Sequence, residues 1–439
     1  MKMMQPDRLA RYVMLASAIL VCFAFSSSAE EPSSAEGQIV EYVNQHNEEA
    51  VALLEKVVNI SSGTMTHEGI RQVGDIFRRE LDALGFDVRW IDMPSQVNRA
   101  GHLFAERRGK QGKRLLLIGH LDTVFEKDSP FKRFERDGHM ATGPGVNDMK
   151  GGDVVILFAL KALHHAGALD NTDIAVALIG DEEKVGKPIS ISRRDLIETA
   201  KGKDVALGFE TGHERTVVTA RRGSSKWTLT VSGTRGHSSR IFSDKFGSGA
   251  VFEASRILTA FHEKVRGERY LSFNPGVILG GTEVSFDPST SRGTAFGKTN
   301  VIAQETTVNG GLRFITDKQK ERARAKMRKI VVNKSLPGTS AKIVFRDAYP
   351  AMPPTEGNRA LLKLIDQVSR DLGYEAMEAY DPGARGAADI SFVAPYVDGL
   401  DGLGIYGSGA HTTKEGADLR SLPIATQRAA VLIYRLTRP

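Results

Sequence analysis

The sequence predicts an α/β fold, in which helices flank a mostly parallel sheet and a smaller ferredoxin-like α+β domain is inserted. Short, fully apolar runs alternate with stretches of helical periodicity, which is typical of strands buried on both faces of a parallel sheet. From about residue 223 to 346 the strands instead alternate apolar and polar side chains, in a β-α-β-β-α-β order. The first pattern then resumes, so one α/β domain is expected to be interrupted by another.

The elements of the first segment follow from apolar spacing. Ile39, Val43 and Leu54 recur at helical intervals, and Gly85 ends a second helical stripe. The run at 115–118 is apolar throughout, as expected of a central strand. The predicted elements are helices at 38–60, 70–84 and 154–165, and strands at 86–91, 115–118, 174–179 and 205–209.

The inserted segment begins with Trp227, Leu229 and Val231 alternating with polar neighbours, which predicts a half-exposed strand. Its further elements are helices at 250–261 and 318–332, and strands at 277–284, 307–314 and 341–345. The last segment is expected to hold helices at 358–372 and 424–436 and a buried strand at 403–406. The predicted domain boundaries are 1–29 for a leader, 30–222 and 347–439 for the two parts of the main domain, and 223–346 for the insert.

The N-terminus resembles a secretory signal. Lys2, Arg8 and Arg11 precede an apolar stretch at 12–25, and the small residues around Ala29 suit a cleavage site. Cleavage predicts a secreted or periplasmic protein with no stable membrane anchor. An uncleaved anchor is the alternative, although roughly 14 apolar residues are few for a membrane-spanning helix.

Composition excludes several classes of protein. Of the 439 residues, 41% are hydrophobic and 26% charged, so an ordinary globular chain is expected rather than a disordered one. The net charge of +6 is small and the basic pairs are scattered, which argues against nucleic acid as a partner. The single cysteine, Cys22, lies in the predicted leader, so a cysteine nucleophile and cysteine-bound zinc are excluded from the mature chain.

Histidines and carboxylates follow the predicted buried strands. Ligands in open α/β sheets bind at the carboxyl ends of strands, so these side chains should meet at one edge. Imidazole together with carboxylate suits zinc, with cobalt or manganese as alternatives. The residues are His120 and Asp122 after the second strand, Asp181, Glu182 and Glu183 after the third, Glu210 after the fourth, and His411 after the last.

Two metal ions need a shared ligand, and Asp148 is the candidate because it lies in the glycine-rich loop 143–152, where the backbone can approach closely. Two ions about 3.5–4 Å apart can hold a water and polarise a carbonyl. Glu182 and Glu183 are neighbours, so in extended backbone their side chains point in different directions. One of them can bind metal while the other acts as a base.

Each motif alone has an ordinary interpretation. His120 and Asp122 could be a hydrogen-bonded surface pair, and the acidic run at 181–183 a solvated loop. The glycine-rich loop could hold phosphate, but it lacks the Lys-Ser/Thr ending of a P-loop. A serine hydrolase is not supported, because the stretches around Ser248 and Ser408 lack the Gly-x-Ser-x-Gly pattern.

Taken together, the motifs resemble the co-catalytic di-zinc metallopeptidase family of glutamate carboxypeptidase, acetylornithine deacetylase, succinyl-diaminopimelate desuccinylase and aminoacylase. The resemblance runs from about residue 38 to the end, and the glutamate carboxypeptidase branch is the most similar. It implies a zinc-exopeptidase-like fold whose insert acts as a lid and dimerisation domain. The motifs occur in the family's order: His120-Leu121-Asp122, the loop 143–152, Asp181-Glu182-Glu183, Phe209-Glu210, Gly236-His237-Ser238 and His411-x-x-x-Glu415.

The resemblance implies two Zn²⁺ per subunit. His120 and Glu210 would bind one ion, Glu183 and His411 the other, and Asp148 would bridge them. Metal-bound histidines generally need an orienting partner, a role that the resemblance gives to Asp122 beside His120.

Further roles also come from the resemblance. Glu182 would be the general base and later the proton donor. His237, in the lid, would reach the site of a neighbouring subunit and stabilise the oxyanion, which implies a homodimer. Asn300 and Arg313 match lid positions that hold the substrate's carboxylate, and a guanidinium suits a carboxylate. An ordinary strand arginine is the alternative for Arg313.

The sequence therefore predicts zinc-dependent hydrolysis of an amide bond in a peptide or N-acyl amino acid, with release of a C-terminal amino acid such as glutamate. An N-acyl-amino-acid deacylase or a dipeptidase is the alternative within the family. A non-catalytic binding module on the same fold is the alternative from a different functional class. Departures from the family pattern at Thr211, Thr412 and the turn 386–389 remove no ligand but alter the surroundings of the substrate.

Overall fold

The computed structural model describes residues 34–288 and 290–438, so the predicted leader 1–29 lies outside the described residues. The helices are α1 (Ser34–Gln45), α2 (Asn47–Val58), α3 (His67–Ala83), α4 (Lys150–His165), α5 (Ile189–Ser192), α6 (Arg194–Lys201), α7 (Gly249–Lys264), α8 (Asp317–Val332), α9 (Glu356–Asp371), α10 (Ile390–Val393) and α11 (Ser421–Leu436). The strands are β1 (Asp87–Ile91), β2 (His102–Arg107), β3 (Gln111–His120), β4 (Glu135–Asp137), β5 (Met140–Thr142), β6 (Thr172–Ile179), β7 (Val205–Gly208), β8 (Thr216–Val217), β9 (Gly223–Gly233), β10 (Ser272–Gly281), β11 (Glu283–Asp287), β12 (Arg292–Phe296), β13 (Glu305–Phe314), β14 (Thr339–Asp347), β15 (Glu378–Ala379), β16 (Asp398–Leu400), β17 (Gly407–Ser408) and β18 (Gly416–Asp418).

The main sheet has six strands in the order β1-β2-β6-β3-β7-β16. Strands β6, β3, β7 and β16 are parallel, whereas β2 is antiparallel to both of its neighbours. Alternate side chains of β3 enter two different cores. Leu115 and Leu117 pack with α1, α4 and α11, whereas Leu116 and Ile118 pack with α6 and α10. The predicted α/β class is confirmed, and the apolar run is explained by burial on both faces.

A second sheet, of order β10-β13-β9-β14, is entirely antiparallel and follows the predicted β-α-β-β-α-β succession. Helices α7 and α8 cover one face, where Trp227 meets Phe261 edge to face at 5.9 Å. The other face of β9 carries Ser224, Lys226 and Thr228, because successive side chains of a strand alternate. This second face is the one that bears polar groups.

Three predicted elements differ from the structure. The strand expected at 277–284 covers the end of β10 and the start of β11, which are separate strands. The helix expected at 38–60 is split into α1 and α2 at His46, whose ring stacks on Tyr42 at 3.9 Å and whose Nδ1 lies 2.9 Å from the Tyr42 carbonyl. The prediction of a strand at 403–406 is wrong. The strand that pairs with β7 is β16, which ends at Leu400. Leu403 and Ile405 are nevertheless buried, and an apolar run reports burial without showing which residues pair.

Strand β2 and the hairpin of β11 and β12 were not separately predicted from the sequence.

In the described part of the chain, no helix combines the length and apolar content needed to cross a membrane.

Candidate active site

Five side chains converge at the carboxyl edge of the main sheet. His120 is the last residue of β3, Glu210 follows β7, and Asp148 lies just before α4. Their ligand atoms form two groups, each within 4.8 Å, that share one member. The first group is His120, Asp148 and Glu210, and the second is Asp148, Glu183 and His411.

The imidazole of His120 is almost fully buried and oriented by its own loop. Its Nδ1 lies 2.9 Å from the backbone carbonyl of Asp122, and a carbonyl can only accept, so Nδ1 donates. When a metal ion is bound the ring is neutral, and Nε2 is then the unprotonated nitrogen. It faces Asp148 Oδ1 at 3.3 Å and Glu210 Oε1 at 3.9 Å, as a metal-binding nitrogen should face its fellow ligands.

His411 approaches from the other side of Asp148. Its Nε2 lies 3.2 Å from Asp148 Oδ2 and 3.1 Å from Glu183 Oε2. The two oxygens of Asp148 therefore face different histidines. This geometry suits a carboxylate shared by two metal ions, and the set of imidazole and carboxylate donors suits zinc.

The carboxylates of the site are crowded in a buried place. Burial raises the pKa of Glu210 to about 7, and the charge of Asp148 adds to the effect. Burial also raises the pKa of Glu182 well above its usual range, with Glu210 as the next cause. Although burial lowers the pKa of His120, its contacts with Asp122 and Asp148 outweigh that effect and raise it. So many acids in one place favour bound cations.

The carboxylate of Asp122 holds the turn that carries the two glutamates. Its oxygens accept the backbone N–H groups of Glu182 at 2.9 Å and Glu183 at 3.2 Å, and the hydroxyl of Thr64 at 2.6 Å. The same carboxylate lies 3.5 Å from Nδ1 of His120, farther than the backbone carbonyl does. Asp122 therefore contacts His120 mainly through its backbone, while its side chain positions Glu182 and Glu183.

Glu415 was part of a sequence motif without a role, and the structure gives it one. It is buried, and it accepts the backbone N–H groups of Gly145 at 3.2 Å, Asn147 at 3.0 Å and Asp148 at 2.9 Å. These contacts fix the glycine-rich loop. Burial nevertheless raises the pKa of Glu415 to about 7.

A cavity of about 970 Å³ lies beside the ligand groups and is lined by residues of both the main domain and the inserted domain. Glu182, Glu183 and His411 line it from one side, and Arg313 of β13 from the other. Tyr349, which sequence reasoning missed, also lines it and donates its hydroxyl to the Glu182 carbonyl at 2.8 Å. No local signal distinguishes Tyr349, because its role depends on a contact across 167 positions in the chain.

The structure does not bring His237 and Asn300 to this cavity. His237 pairs with Val301 by a β-bridge, and its Nδ1 lies 2.8 Å from the Ser239 hydroxyl. Asn300 is exposed, and its carbonyl accepts the N–H of Ser238. Within the described residues, neither side chain contacts the ligand groups of its own chain.

The fold and this site together define a metal-dependent hydrolase of amide bonds. The family model of peptidase family M20/M25/M40 matches residues 116–435, and the chain belongs to this family. The predicted resemblance and the predicted enzyme class are thereby confirmed.

Individual relatives agree with this assignment. Carboxypeptidase G2 of Pseudomonas sp. strain RS-16 is 30% identical over 393 residues, which cover 88% of this chain and 89% of the relative. A succinyl-diaminopimelate desuccinylase of Magnetococcus marinus is 25% identical, covering 89% of this chain and 98% of that protein.

Solved structures share the fold at lower identity. Aminopeptidase PepT of Bacillus cereus superposes with a TM-score of 0.69 at 15% identity, covering 89% of this chain and 99% of that one. A dinuclear metal-binding peptidase of the M20 family from Bacillus subtilis gives 0.63 at 13% identity, covering 90% and 99%. At these identities the likeness concerns the fold alone.

Proposed function

We propose that this enzyme uses two Zn²⁺ ions to release a C-terminal amino acid, with glutamate as one candidate, from a peptide or N-acyl conjugate. The observation that carries the proposal is the carboxylate of Asp148, whose two oxygens face His120 and His411 respectively. In this proposal Glu210 completes one site with His120, Glu183 completes the other with His411, and Co²⁺ or Mn²⁺ could replace zinc.

When bound, two such ions polarise a substrate carbonyl and lower the pKa of a water. The protein's own contribution is proton transfer and positioning. Glu182 is the proposed general base, because its carboxyl borders the cavity beside the metal ligands, where it can take a proton from water and return it to the leaving nitrogen. Asp122 holds the backbone of Glu182 in place for this step.

Arg313 is the proposed partner of the substrate's terminal carboxylate. It lines the cavity, and burial together with the nearby Arg222 lowers its pKa. Among the described residues, no acid forms an ion pair with it. A guanidinium binds a carboxylate through two parallel hydrogen bonds. Asn300 is proposed to assist only where the lid of another subunit or a closed lid brings it near, because it is exposed here.

The central test replaces the base. We expect Glu182→Gln to lower kcat roughly 10²–10⁴-fold while the purified protein still binds two metal ions. Turnover is measured on a panel of peptide, N-acetyl and N-benzoyl substrates, with and without a chelator, and bound metal by elemental analysis. Glu55→Gln, on the exposed face of α2, is the matched control. Near-normal turnover of Glu182→Gln would exclude this mechanism, and clearly less than one metal ion per wild-type chain would favour a binding module.

The second test separates carboxypeptidase from deacylase or dipeptidase activity. The relatives named carboxypeptidase G2 and succinyl-diaminopimelate desuccinylase support both kinds of substrate. We expect Arg313→Gln to raise KM for substrates with a free C-terminal carboxylate and to leave amidated analogues unchanged. If wild-type enzyme hydrolyses both forms equally, Arg313 does not bind the carboxylate.

A homodimer through the lid is also proposed. Large apolar side chains are exposed on the inserted domain, and β10 is an edge strand, a combination that favours association. They are Phe242, Val251, Phe252, Ile278 and Phe296. In such a dimer the exposed His237 would serve the partner subunit's site.

Mixing inactive variants tests this arrangement. His237→Ala and Glu182→Gln chains, unfolded and refolded together, should form mixed dimers with one intact composite site. Random pairing predicts roughly a quarter of wild-type activity. If the mixture stays as inactive as the separate variants, His237 does not act across a dimer.

The proposal also includes secretion, or a periplasmic location, after cleavage of residues 1–29. Its domain boundaries are 30–222, 223–346 and 347–439. The N-terminal sequence of the protein isolated from its own cells tests the cleavage. Limited proteolysis with mass analysis of the fragments tests the boundaries.

A further inference from the structure

Two cations face each other across neighbouring strands of the lid. Lys226 of β9 and Arg346 of β14 are direct register partners. Both side chains lie on the sheet face opposite to the buried Trp227. Like charges directly opposite each other destabilise a sheet, so this pair has an electrostatic cost.

Neither cation is neutralised by the protein. Among the described residues, no carboxylate lies within ion-pair distance of Lys226 or Arg346, and neither side chain makes a hydrogen bond. The neighbouring Asp347 is engaged elsewhere, with Lys320 and Arg324. Positive charge therefore remains available on this face of the sheet.

The pair lies at the junction of two cavities. Lys226, Arg346 and Pro288 line both the 970 Å³ cavity beside the metal ligands and a neighbouring cavity of about 260 Å³. The smaller cavity continues towards the hairpin of β11 and β12, with apolar walls that include Phe286 and Val344. Anionic groups with an apolar body suit such a junction.

The size of this space indicates which part of the substrate it serves. Cavities of about 300–1,000 Å³ hold ligands of drug size, far larger than one amino acid. In a C-terminal exopeptidase no chain extends beyond the released residue. The space beyond the released residue is therefore assigned to the acyl side of the substrate.

We propose that Lys226 and Arg346 bind an anionic group at the far end of the substrate's acyl portion, whose apolar part lies along the cavity. This inference rests on the proposed function and deepens it. The preferred substrates are N-acyl amino acids or peptides with a negative charge besides the C-terminal carboxylate.

The test uses two acyl groups and two leaving residues. N-suberoyl and N-octanoyl derivatives differ only in a terminal carboxylate, and each is made with glutamate and with leucine. For wild type, Lys226→Gln and Arg346→Gln, the ratio of kcat/KM for suberoyl over octanoyl substrates is measured. We expect each variant to lower this ratio by about fivefold or more with either leaving residue. Lys342→Gln, on the same face of β14 but outside both cavities, should leave it unchanged.

Two outcomes overturn the proposal. If the variants instead lower the preference for glutamate over leucine, Lys226 and Arg346 bind the released residue. If they change neither ratio, the pair binds no part of these substrates. Should the zinc-loaded wild type hydrolyse neither these four compounds nor the peptide, N-acetyl and N-benzoyl substrates, the proposed function fails. Titration calorimetry with N-suberoyl-glutamate and N-octanoyl-glutamate on the same proteins then tests the anion site by binding alone. The association constant for the suberoyl compound, divided by that for the octanoyl compound, is expected to fall in both variants.

Discussion

The carboxylate of Glu415 accepts the backbone N–H of Asp148 at 2.9 Å, although 267 positions separate the two residues in the chain. Asp148 is the residue whose two oxygens face both histidines. The position of the shared carboxylate therefore depends on a second acid that touches neither histidine.

This relationship predicts the effect of Glu415→Gln. The amide places an N–H group where the loop already presents N–H donors, so at least one hydrogen bond is lost and a repulsive contact replaces it. We expect metal affinity to fall roughly 10- to 100-fold, as for other residues that position ligands. Competition with a metal-binding dye measures it. Lys414→Gln, exposed and adjacent, is the control, and tight binding of both ions by Glu415→Gln would contradict the role given to this acid.

Asp122→Asn should weaken catalysis through the backbone of the two glutamates. The side chain accepts hydrogen bonds on both oxygens, and an amide can accept on only one. We expect kcat/KM to fall roughly 10- to 100-fold, with a smaller change in overall stability. Steady-state kinetics and thermal unfolding of the same preparations separate the two effects. The exposed Asp128→Asn should behave like wild type, and an unchanged kcat/KM for Asp122→Asn would refute the prediction.

A buried ion-pair network lies directly under the site. The guanidinium of Arg193, fully buried, bonds Asp181 and also Asp389, at 2.6 Å from Nε. Arg193→Met leaves two buried carboxylates without their cation, and we expect a loss of about 3–5 kcal/mol in the free energy of unfolding. Urea unfolding measures it. Arg194→Met removes an exposed pair and should cost under about 1 kcal/mol, so equal losses for the two variants would show that the network contributes little.

Stability should depend on pH through His102. Its Nε2 faces the Ser192 carbonyl at 2.9 Å, and its Nδ1 accepts the N–H of Gly180 at 3.1 Å, so only the neutral ring satisfies both contacts. Burial lowers the pKa of His102 below 6.5 in the folded state. The unfolded state then binds more protons, so this contribution is full above pH 6.5 and is lost as the pH falls through the folded-state pKa.

We therefore expect the free energy of unfolding of the wild type to fall more steeply below pH 6.5 than that of His102→Gln, by at most about 1.4 kcal/mol per pH unit. Urea unfolding of both proteins between pH 8 and 5 measures the difference, in which contributions common to both cancel. Parallel curves would mean that His102 does not titrate in this range.

Much of the fold could be predicted because its causes are local. The periodicity around Trp227 and the apolar run at 115–118 depend only on which faces of a strand are buried. The strand expected at 403–406 failed for the same reason. Burial is visible in the sequence, whereas the pairing of β16 with β7 is decided between segments that are distant in the chain.

By itself, the sequence determined the kinds of elements and the acids and histidines that follow them, since hydrophobic spacing and strand ends are properties of neighbouring residues. Only the tertiary structure decided that Glu415 holds the loop of Asp148, that Tyr349 reaches Glu182, and that Lys226 faces Arg346 over a shared cavity. These contacts join distant parts of the chain, and their geometry exists only once the two sheets have folded and packed together.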